Sequence, residues 1–179
     1  MKKEIERKFL LKDIPIHNSL SEIQHIIQYY YFSDNVWKRI RKIESNMYGN
    51  MYLHTIKTFK DGILFEEEEY FSYEQFKSLL DDINDGKYKT TFISKNRYIF
   101  LTGIDADFEG EIKNIKWEVD VFNFSLIIAE IEIPDFNFQI EIPSFIKDKL
   151  IYEVTGIQEF SNRIHSQPLM EVLFFNTNF

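Results

Sequence analysis

Hydrophobic and polar residues alternate with a period of two along most of this chain. Ile, Val, Phe and Tyr occupy the apolar positions, and clusters of Asp, Asn, Gly and Ser interrupt the alternation. This period is typical of β-strands whose two faces meet different surroundings, and the interruptions are typical of hairpin turns. The pattern predicts antiparallel strands at residues 2–11, 26–33, 36–45, 50–59, 63–71, 92–101, 115–122 and 126–133.

Helical periodicity is clearest after the fifth predicted strand. Ser72 and Gln75 form a capping-box pattern in front of an apolar stripe with helical spacing. We expect this helix to end near Asp85. Weaker helical signals occur at residues 18 to 25 and 158 to 167.

Charged residues are sorted by sign on one face of the predicted strands. In the last strand, Glu130 and Glu132 alternate with Ala129 and Ile131. Carboxylates in an apolar strand are costly to bury unless they are neutralised. The basic members of this pattern are Lys8, Arg39, Arg41, Lys57, Lys95 and Arg97. The acidic members are Glu4, Glu6, Glu67, Glu69, Glu118, Asp120, Glu130 and Glu132.

The repetition of this pattern favours a closed sheet. A single charged strand face is usually solvated or belongs to a sheet edge. When seven of the eight strands carry same-face charges, the opposite apolar faces would need more helical cover than this chain supplies. We therefore predict a mainly β fold of the α+β class, a closed eight-stranded antiparallel barrel with helices packed outside. We expect its lumen to be charged and its stability to come from the outward aliphatic faces.

Composition limits the remaining possibilities. The 179 residues contain no Pro-, Gly- or Ser-rich linker, which predicts a single domain over residues 1–179. A hydrophobic fraction of 44% excludes a disordered chain. The absence of Cys excludes disulfides, iron–sulfur clusters and thiolate chemistry, which leaves oxygen ligands as the natural metal donors.

Charge and hydropathy also restrict the partners. A formal net charge of -8 argues against binding of a nucleic acid over the outer surface, because such binding neutralises many phosphates with Lys and Arg. No signal peptide pattern and no apolar stretch long enough to cross a membrane occurs. We expect a cytoplasmic protein with a small anionic ligand.

Short charged motifs follow one another in a recognisable order. The chain begins with Glu4-Ile5-Glu6-Arg7-Lys8, which resembles the ExExK signature of the CYTH superfamily, the triphosphate tunnel metalloenzymes. Later segments resemble the superfamily's other motifs in the same order and cover nearly the whole chain. These are Arg39-Ile40-Arg41, Thr55-Ile56-Lys57, residues 62–69, Lys95-Asn96-Arg97-Tyr98, residues 117–122, residues 129–132, residues 153–156 and Ser161-Asn162.

The resemblance implies a tunnel that binds a triphosphate together with Mg²⁺ or Mn²⁺. It implies phosphate binding by Lys8, Arg39, Arg41, Lys57, Lys95 and Arg97. It implies metal binding by Glu4, Glu6, Asp120, Glu130 and Glu132. Glu67, Glu69 and Glu118 would hold the basic residues in position, and Glu4, Glu6 and Lys8 would be catalytic.

Several reactions are compatible with this resemblance. The compact N-terminal motif resembles that of short bacterial triphosphatases, so hydrolysis of inorganic tripolyphosphate is the first expectation. The alternatives are a class IV adenylate cyclase, a thiamine triphosphatase, and a module that binds polyphosphate or a nucleotide without catalysis. Trp37 lies two residues before Arg39 and resembles the ring-stacking Trp of animal thiamine triphosphatases. The first expectation is that it packs at a tunnel mouth or at a strand end, as aromatic residues in strands commonly do.

Two positions depart from the superfamily's pattern. Phe65 stands where an Arg is common, and Glu159 stands where a cation is common. Both changes remove a possible phosphate contact at one end of the tunnel, and Arg163 is a potential replacement for the second.

Overall fold

The computed structural model describes residues 2–61 and 63–168, so Gly62 of the predicted turn and residues 169–179 lie outside the described part of the chain. Within these ranges the chain forms one curled antiparallel sheet of eleven strands. The strands are β1 (Lys2–Glu4), β2 (Glu6–Leu11), β3 (Leu20–Ser33), β4 (Val36–Ser45), β5 (Gly49–Lys60), β6 (Ile63–Tyr70), β7 (Lys89–Phe108), β8 (Glu111–Phe122), β9 (Ile127–Glu132), β10 (Leu150–Glu153) and β11 (Gln167–Pro168).

The strand order is β1-β6-β5-β4-β3-β7-β8-β9-β2-β10, and β11 pairs with β7. The sheet curls into a half-barrel, which confirms the predicted mainly β, antiparallel fold class at this level. Strand β1 pairs with β6 while β2 pairs with β9, although only Ile5 separates β1 from β2 in the chain. The N-terminal segment therefore contacts both ends of the sheet.

Helices are few and short. The predicted helix is confirmed as α1 (Tyr73–Asn84), with Ser72 as its N-cap and Asp85 as its C-cap. The Gln75 backbone N–H donates to the Ser72 hydroxyl, and the Gln75 side chain accepts from the Ser72 backbone N–H. Two four-residue helices follow, α2 (Ser144–Lys147) and α3 (Asn162–His165), and a 3₁₀ turn spans Gln158–Phe160.

Of the two weaker helix predictions, one is wrong and the other is correct in part. The prediction at residues 18 to 25 is wrong, because the chain from Leu20 onward belongs to β3 and pairs with the long strand β7. Pairing with a neighbouring strand overrides a weak local preference. The prediction at residues 158 to 167 is correct only in part, since Ser161 and Ser166 bound a short α3 and Gln167 already belongs to β11.

The outward apolar faces of the sheet are covered in two places. Helix α1 places Phe76 and Ile83 against β3 and β4. On the other side, Trp117 of β8 packs in a larger cluster with Phe9 and with Ile146 of α2. No helix in the described part of the chain has the length and apolarity needed to cross a lipid bilayer.

The inward face is not charged throughout, in contrast to the expectation. Ile26, Ile43 and Leu53 form one buried apolar cluster, and the sheet register places Ile26 beside Lys95. A second cluster is built around Tyr30 and also contains Ile93, Phe122 and Ile128. The inner face therefore contributes its own apolar packing beside the charged groups, because charges at alternate positions occupy only part of each strand.

Candidate functional site

The concave side of the sheet encloses a cavity of about 1430 Å³. Its lining includes every basic residue that the sequence pattern singled out, namely Lys8, Arg39, Arg41, Lys57, Lys95 and Arg97. Six of the predicted acidic residues also line it, namely Glu4, Glu6, Glu67, Glu118, Glu130 and Glu132. The alternating pattern of the strands thus delivers both signs of charge to one enclosed space.

One wall of the cavity is formed by β7, β8, β9 and β2 and is called the Arg97 wall here. The register places Arg97 opposite Asp120. Arg97 Nε donates to one carboxylate oxygen of Asp120 at 2.7 Å and Nη2 donates to the other at 2.8 Å. Nη1 donates to Glu118, and Nη2 also reaches Glu130 at 3.3 Å. Each guanidinium nitrogen of Arg97 is therefore engaged by a carboxylate.

Two lysines complete this network. Lys95 is 1% exposed and donates to Asp120, which is completely buried. Lys8 Nζ donates to Glu130 at 2.8 Å and lies 3.0 Å from a carboxylate oxygen of Glu6. The Arg97 wall is a continuous chain of charge-assisted hydrogen bonds across four strands.

The position of Asp120 differs from the expectation that it binds a metal ion. Among the described residues, Asp120 is absent from the cavity lining, and both of its oxygens accept hydrogen bonds from Lys95 and Arg97. The alternation of the strand places Asp120 on the inner face, as expected. The longer side chains of Lys95 and Arg97 cover its carboxylate there. Asp120 is placed to hold these two cations.

The electrostatics of this wall follow from burial and pairing. Burial, together with the nearby Arg97 charge, lowers the pKa of Lys95 to about 8. Burial opposes ionisation of Glu118, but Arg97 and Lys116 outweigh it and lower the pKa of Glu118 to about 2. Burial is likewise outweighed at Glu130, whose pKa is held well below its usual range by Lys8 and neighbouring cations.

The opposite wall is formed by β4, β5, β6 and β1 and is called the Arg39 wall here. Arg39 Nη2 donates to Thr55 Oγ1 and to Glu66 Oε1, both at 3.1 Å. Lys57 Nζ donates to the two oxygens of Glu4 at 2.8 and 2.6 Å and lies 3.2 Å from Glu66. A further ion pair joins Arg41 Nη2 to Glu68. This wall also couples each cation to a carboxylate on a neighbouring strand.

The supporting carboxylates of the Arg39 wall are Glu66 and Glu68, which corrects the expectation for Glu67 and Glu69. Glu66 and Glu68 form ion pairs with Arg39 and Arg41, whereas Glu67 forms none with a described cation. Glu69 contacts His54 Nδ1 at 3.0 Å on the outer face. Residues 66–69 are all Glu, so the sequence contains no alternation that selects one pair. The pairing of β6 with β5 selects it, because a shift of one residue would exchange the two faces.

Two guanidinium donors of the Arg39 wall have no partner. Arg39 Nε and Arg41 Nε are buried and form no hydrogen bond to any described residue. Burial and the neighbouring Arg39 charge lower the pKa of Arg41, which reflects incompletely compensated positive charge. Buried donors without acceptors are costly, so this part of the cavity is suited to receive an anion.

Carboxylates concentrate where β1, β2 and β9 meet. Glu6 and Glu132 are directly opposite each other on β2 and β9, an arrangement of like charges that is unfavourable without a cation. Burial raises the pKa of Glu132, and burial together with Glu6 and Glu66 raises the pKa of Glu4 to about 7 against the opposing effect of Lys57. As arranged, the described residues contain no group of three or more metal-binding side chains that would hold a metal ion.

Trp37 lies at one end of the cavity in occupied surroundings. Its ring centroid is 5.5 Å from that of Phe32. Lys89 Nζ lies over the ring at 6.0 Å from the centroid, and Arg163 Cζ lies over it at 5.6 Å. Arg163 also lines the cavity, whereas Glu159 is exposed. The neighbourhood of Trp37 is therefore filled by side chains of this chain.

Sequence reasoning missed several residues of this site. Thr55, Glu66 and Glu68 were not singled out, and neither were Gln28 and Tyr30 on the inner face of β3. Gln28 and Tyr30 alternate with Gln24 and Ile26 on one face of β3, which indicated that they share that face. These side chains carry no formal charge, so the search for charged positions did not select them. A fully buried Gln28 becomes conspicuous only when its neighbours are known.

Comparison with known proteins adds independent information. No protein-family model matches the chain. A protein of Acetivibrio thermocellus named inorganic triphosphatase is 31% identical over 165 residues, covering 90% of this chain and 92% of the relative. The crystal structure of the inorganic triphosphatase NE1496 superposes with a TM-score of 0.50 at 21% identity, covering 93% of this chain and 95% of that one. The PH1819 protein from Pyrococcus horikoshii has a TM-score of 0.50 at 15% identity, covering 81% and 82% of the two chains.

Proposed function

The chain belongs to the inorganic triphosphatase family of the CYTH superfamily, and from this premise we propose that it hydrolyses inorganic tripolyphosphate in the cavity of its curled sheet. The observation that carries the proposal is the convergence of six basic side chains from four strands on one cavity. Two of them, Arg39 and Arg41, retain buried donors that find no acceptor among the described residues. A short chain of phosphates supplies acceptors along its whole length.

The two walls have complementary roles in binding this substrate. Arg39, Arg41 and Lys57 bind phosphate oxygens on one side, and Lys8, Lys95 and Arg97 balance the charge on the other. Guanidinium groups suit phosphate because their donors form a planar fork. Glu66, Glu68, Glu118 and Asp120 hold these cations in the orientation that the substrate requires, so little ordering is needed when it binds.

The acidic end of the cavity fits a divalent cation by the chemistry of its donors. Its donors are carboxylate oxygens, which Mg²⁺ and Mn²⁺ prefer, and the direct opposition of Glu6 and Glu132 would be relieved by a cation between the strands. Glu6 and Glu132 would hold the ion, and Glu4 and Glu130 would join them when phosphate oxygens replace them as the acceptors of Lys57 and Lys8. A bound divalent cation would supply neutralisation of phosphate charge and would lower the pKa of water.

Hydrolysis then requires water in line with the bond that breaks. The water oxygen forms a bond to the terminal phosphorus, the bond from that phosphorus to the bridging oxygen breaks, and the products are phosphate and diphosphate. Glu4 and Glu6 orient the water by accepting its hydrogen bonds. Lys8 donates to a phosphate oxygen and neutralises the charge that develops during the displacement.

The proposal includes closure of the sheet into a barrel within a single domain. It is supported by the pairing of β1 with β6 and of β2 with β9, since β1 and β2 are consecutive in the chain. A closed barrel leaves no free edge between β6 and β9 and keeps bulk water away from the ion pairs. A disulfide introduced between the paired residues Lys3 and Phe65 tests it, since it forms without loss of activity only if the pairing persists.

The other reactions of the superfamily have less support here. Phe32 packs against Trp37 and the Lys89 and Arg163 cations lie over its ring, so the ring is already engaged by side chains of this chain and stacking on thiamine would compete with them. No observation favours a cyclase. The full set of inward carboxylates is unfavourable for a module that only binds anions, because these carboxylates would repel the ligand.

A panel of substrates tests the function directly. Phosphate release is measured from tripolyphosphate, ATP and thiamine triphosphate with Mg²⁺ or Mn²⁺, and cyclic AMP is assayed in parallel. We expect tripolyphosphate to have the highest kcat/KM and a chelator to abolish the activity. Formation of cyclic AMP from ATP with tripolyphosphate untouched, or tight binding of all three compounds without turnover, would contradict the proposal.

A further inference from the structure

The segment at the end of β10 lies against β2 at a residue of the proposed site. Glu153 is the last residue of β10 and pairs with Phe9 of β2. Val154 and Thr155 follow it and remain alongside β2, where both contact Lys8. Glu153, Val154 and Thr155 are called the clasp here. The clasp takes no direct part in the proposed hydrolysis.

The clasp binds both main-chain polar groups of Lys8. The Val154 N–H donates to the Lys8 carbonyl oxygen at 2.8 Å, and the Lys8 N–H donates to Thr155 Oγ1 at 3.0 Å. In a regular antiparallel ladder, a backbone carbonyl would accept the second of these bonds. Here a side chain accepts it, so the hydrogen bonding of the Lys8 backbone depends on the identity of residue 155.

The Thr155 hydroxyl is itself oriented by an ion pair. It donates to Glu153 Oε1 at 2.7 Å, so only its lone pairs face the Lys8 N–H. Arg7 Nε and Nη2 donate to the two carboxylate oxygens of Glu153 at 3.0 and 2.9 Å, and this bidentate geometry fixes the direction of the carboxylate. The hydrogen bonds therefore run from Arg7 through Glu153 and Thr155 to Lys8, the next residue of the same strand.

The backbone on either side of Thr155 is also constrained. Val154 is completely buried, which anchors the chain before the hydroxyl. Gly156 follows with a φ of +74°, a conformation that residues with a side chain rarely adopt, and the chain turns away there. Thr155 and Gly156 both line the cavity. Thr155 is thus held at the edge of the cavity, beside β2.

The position of the β2 backbone matters because Lys8 has a flexible side chain. Its ammonium group ends a stem of four carbons, which fixes no direction by itself. Lys8 Nζ lies 2.8 Å from Glu130 and 3.0 Å from Glu6. Glu6 is two residues earlier on the same strand and the same face, so a displacement of the backbone at Lys8 would move both groups.

We propose that Thr155 is a positioning residue, whose hydroxyl fixes the β2 backbone at Lys8 and thereby places the Lys8 ammonium group against the phosphate that is transferred to water. This inference rests on the proposed function, since it assigns Lys8 to that phosphate. It gives the clasp a role in turnover although the clasp does not touch the reacting atoms.

The test replaces Thr155 in the full-length protein. Thr155→Val keeps the branched shape but places a methyl group against the Lys8 N–H, whereas Thr155→Ser keeps the hydroxyl. We expect Thr155→Val to lower kcat for tripolyphosphate about tenfold, because a small misplacement of a catalytic group is costly in the transition state. KM should change by less than about threefold, since Arg39 and Arg41 are undisturbed. Thr155→Ser should restore kcat to within about twofold of wild type.

Thr102→Val is the matched control. Thr102 Oγ1 also accepts from a backbone N–H, that of Ile104 at 3.0 Å, and it donates to the Ile115 carbonyl oxygen at 2.7 Å. Thr102 does not belong to the cavity lining formed by the described residues. We expect Thr102→Val to lower the melting temperature at least as much as Thr155→Val but to retain wild-type kcat. Equal losses of kcat in the two variants would overturn the inference.

Hydrogen exchange at the Lys8 amide, measured by NMR without substrate, tests the contact independently of catalysis. We expect the amide to be protected in wild type and in Thr155→Ser, and to lose protection in Thr155→Val. Unchanged protection in Thr155→Val would overturn the inference.

The outcomes distinguish this inference from the proposed function. If wild type hydrolyses tripolyphosphate and Thr155→Val keeps its kcat, the positioning role is wrong and the function stands. If wild type does not hydrolyse tripolyphosphate but the Lys8 amide loses protection in Thr155→Val, the function is wrong and the control of the Lys8 backbone by Thr155 stands.

Discussion

The Arg97 wall and the Arg39 wall contain the same kinds of residue but differ in how completely their guanidinium donors are paired. Each pairs cations with carboxylates across neighbouring strands. In the Arg97 wall every guanidinium nitrogen of Arg97 has an acceptor, and Asp120 is completely buried. In the Arg39 wall, Arg39 Nε and Arg41 Nε have no partner within residues 2–61 and 63–168. The guanidinium of Arg97 has an acceptor for each nitrogen, while the guanidinium groups of the other wall leave donors for an anion.

The difference follows from the number of carboxylates within reach. Arg97 on β7 faces β8 and the next strand β9, and these supply Glu118, Asp120 and Glu130. Arg39 and Arg41 share fewer acceptors, since Glu68 approaches both of them. We infer that the Arg97 wall mainly stabilises the fold and that the Arg39 wall mainly binds substrate. The predictions below test this division.

The largest expected effect is on stability, from Asp120→Asn. The substitution keeps the shape of the side chain but leaves Lys95 and Arg97 buried with one negative charge fewer. Removing one partner of a buried ion pair costs about 3 to 5 kcal/mol. We expect the free energy of unfolding in urea to fall by that amount. Glu68→Gln, the matched change in the more exposed Arg39 wall, should cost less than about 1 kcal/mol. Equal losses would remove the distinction between the walls.

The next effect is on turnover, from Glu6→Gln. A carboxylate that holds the metal ion and orients water acts mainly in the transition state, so kcat should fall far more than KM rises. We expect a decrease in kcat of about a hundredfold or more. Glu69→Gln is the control, because Glu69 contacts His54 on the outer face, and it should retain wild-type kcat. Full activity of Glu6→Gln at saturating metal would exclude it as a ligand.

Lysine substitutions separate binding from stability. Arg39→Lys keeps the charge but loses the planar fork, and we expect KM for tripolyphosphate to rise about tenfold with little change in melting temperature. Arg97→Lys cannot satisfy three carboxylates at once and should lower the melting temperature measurably. If both variants affect the same quantity, the two walls have the same role.

The smallest effect is expected from Trp37→Phe. The ring packs against Phe32 with Lys89 and Arg163 over it, so a smaller aromatic ring retains most of this packing. We expect less than about a twofold change in KM for tripolyphosphate, since a partly exposed cation–π contact contributes only about 0.5 to 1 kcal/mol. A selective loss of activity on thiamine triphosphate would instead indicate stacking of the organic group on Trp37.

Much of the fold was predictable because its signals are local. The strands from β4 to β6 and the helix α1 follow from alternation, turn residues and the capping box of Ser72 and Gln75. The start of β3 was not predictable, because residues 20–23 pair with β7, which comes much later in the chain. The same alternation indicated the six basic residues of the cavity, since a charge at every second position must share a face.

The sequence by itself determined where most of strands β2 to β9 lie, which faces carry charge and which family the motifs resemble, because these depend on spacing of two residues and on residue type. It did not indicate β10 and β11, which are short and pair with distant strands. Only the tertiary structure decided that Glu66 and Glu68, rather than Glu67 and Glu69, meet the cations, since strand register sets the face in a run of identical residues. It also decided that Asp120 holds Lys95 and Arg97 and that Gln28 and Tyr30 lie among the cations. These outcomes depend on contacts between strands distant in sequence, where burial and competition among neighbours determine what each polar group does.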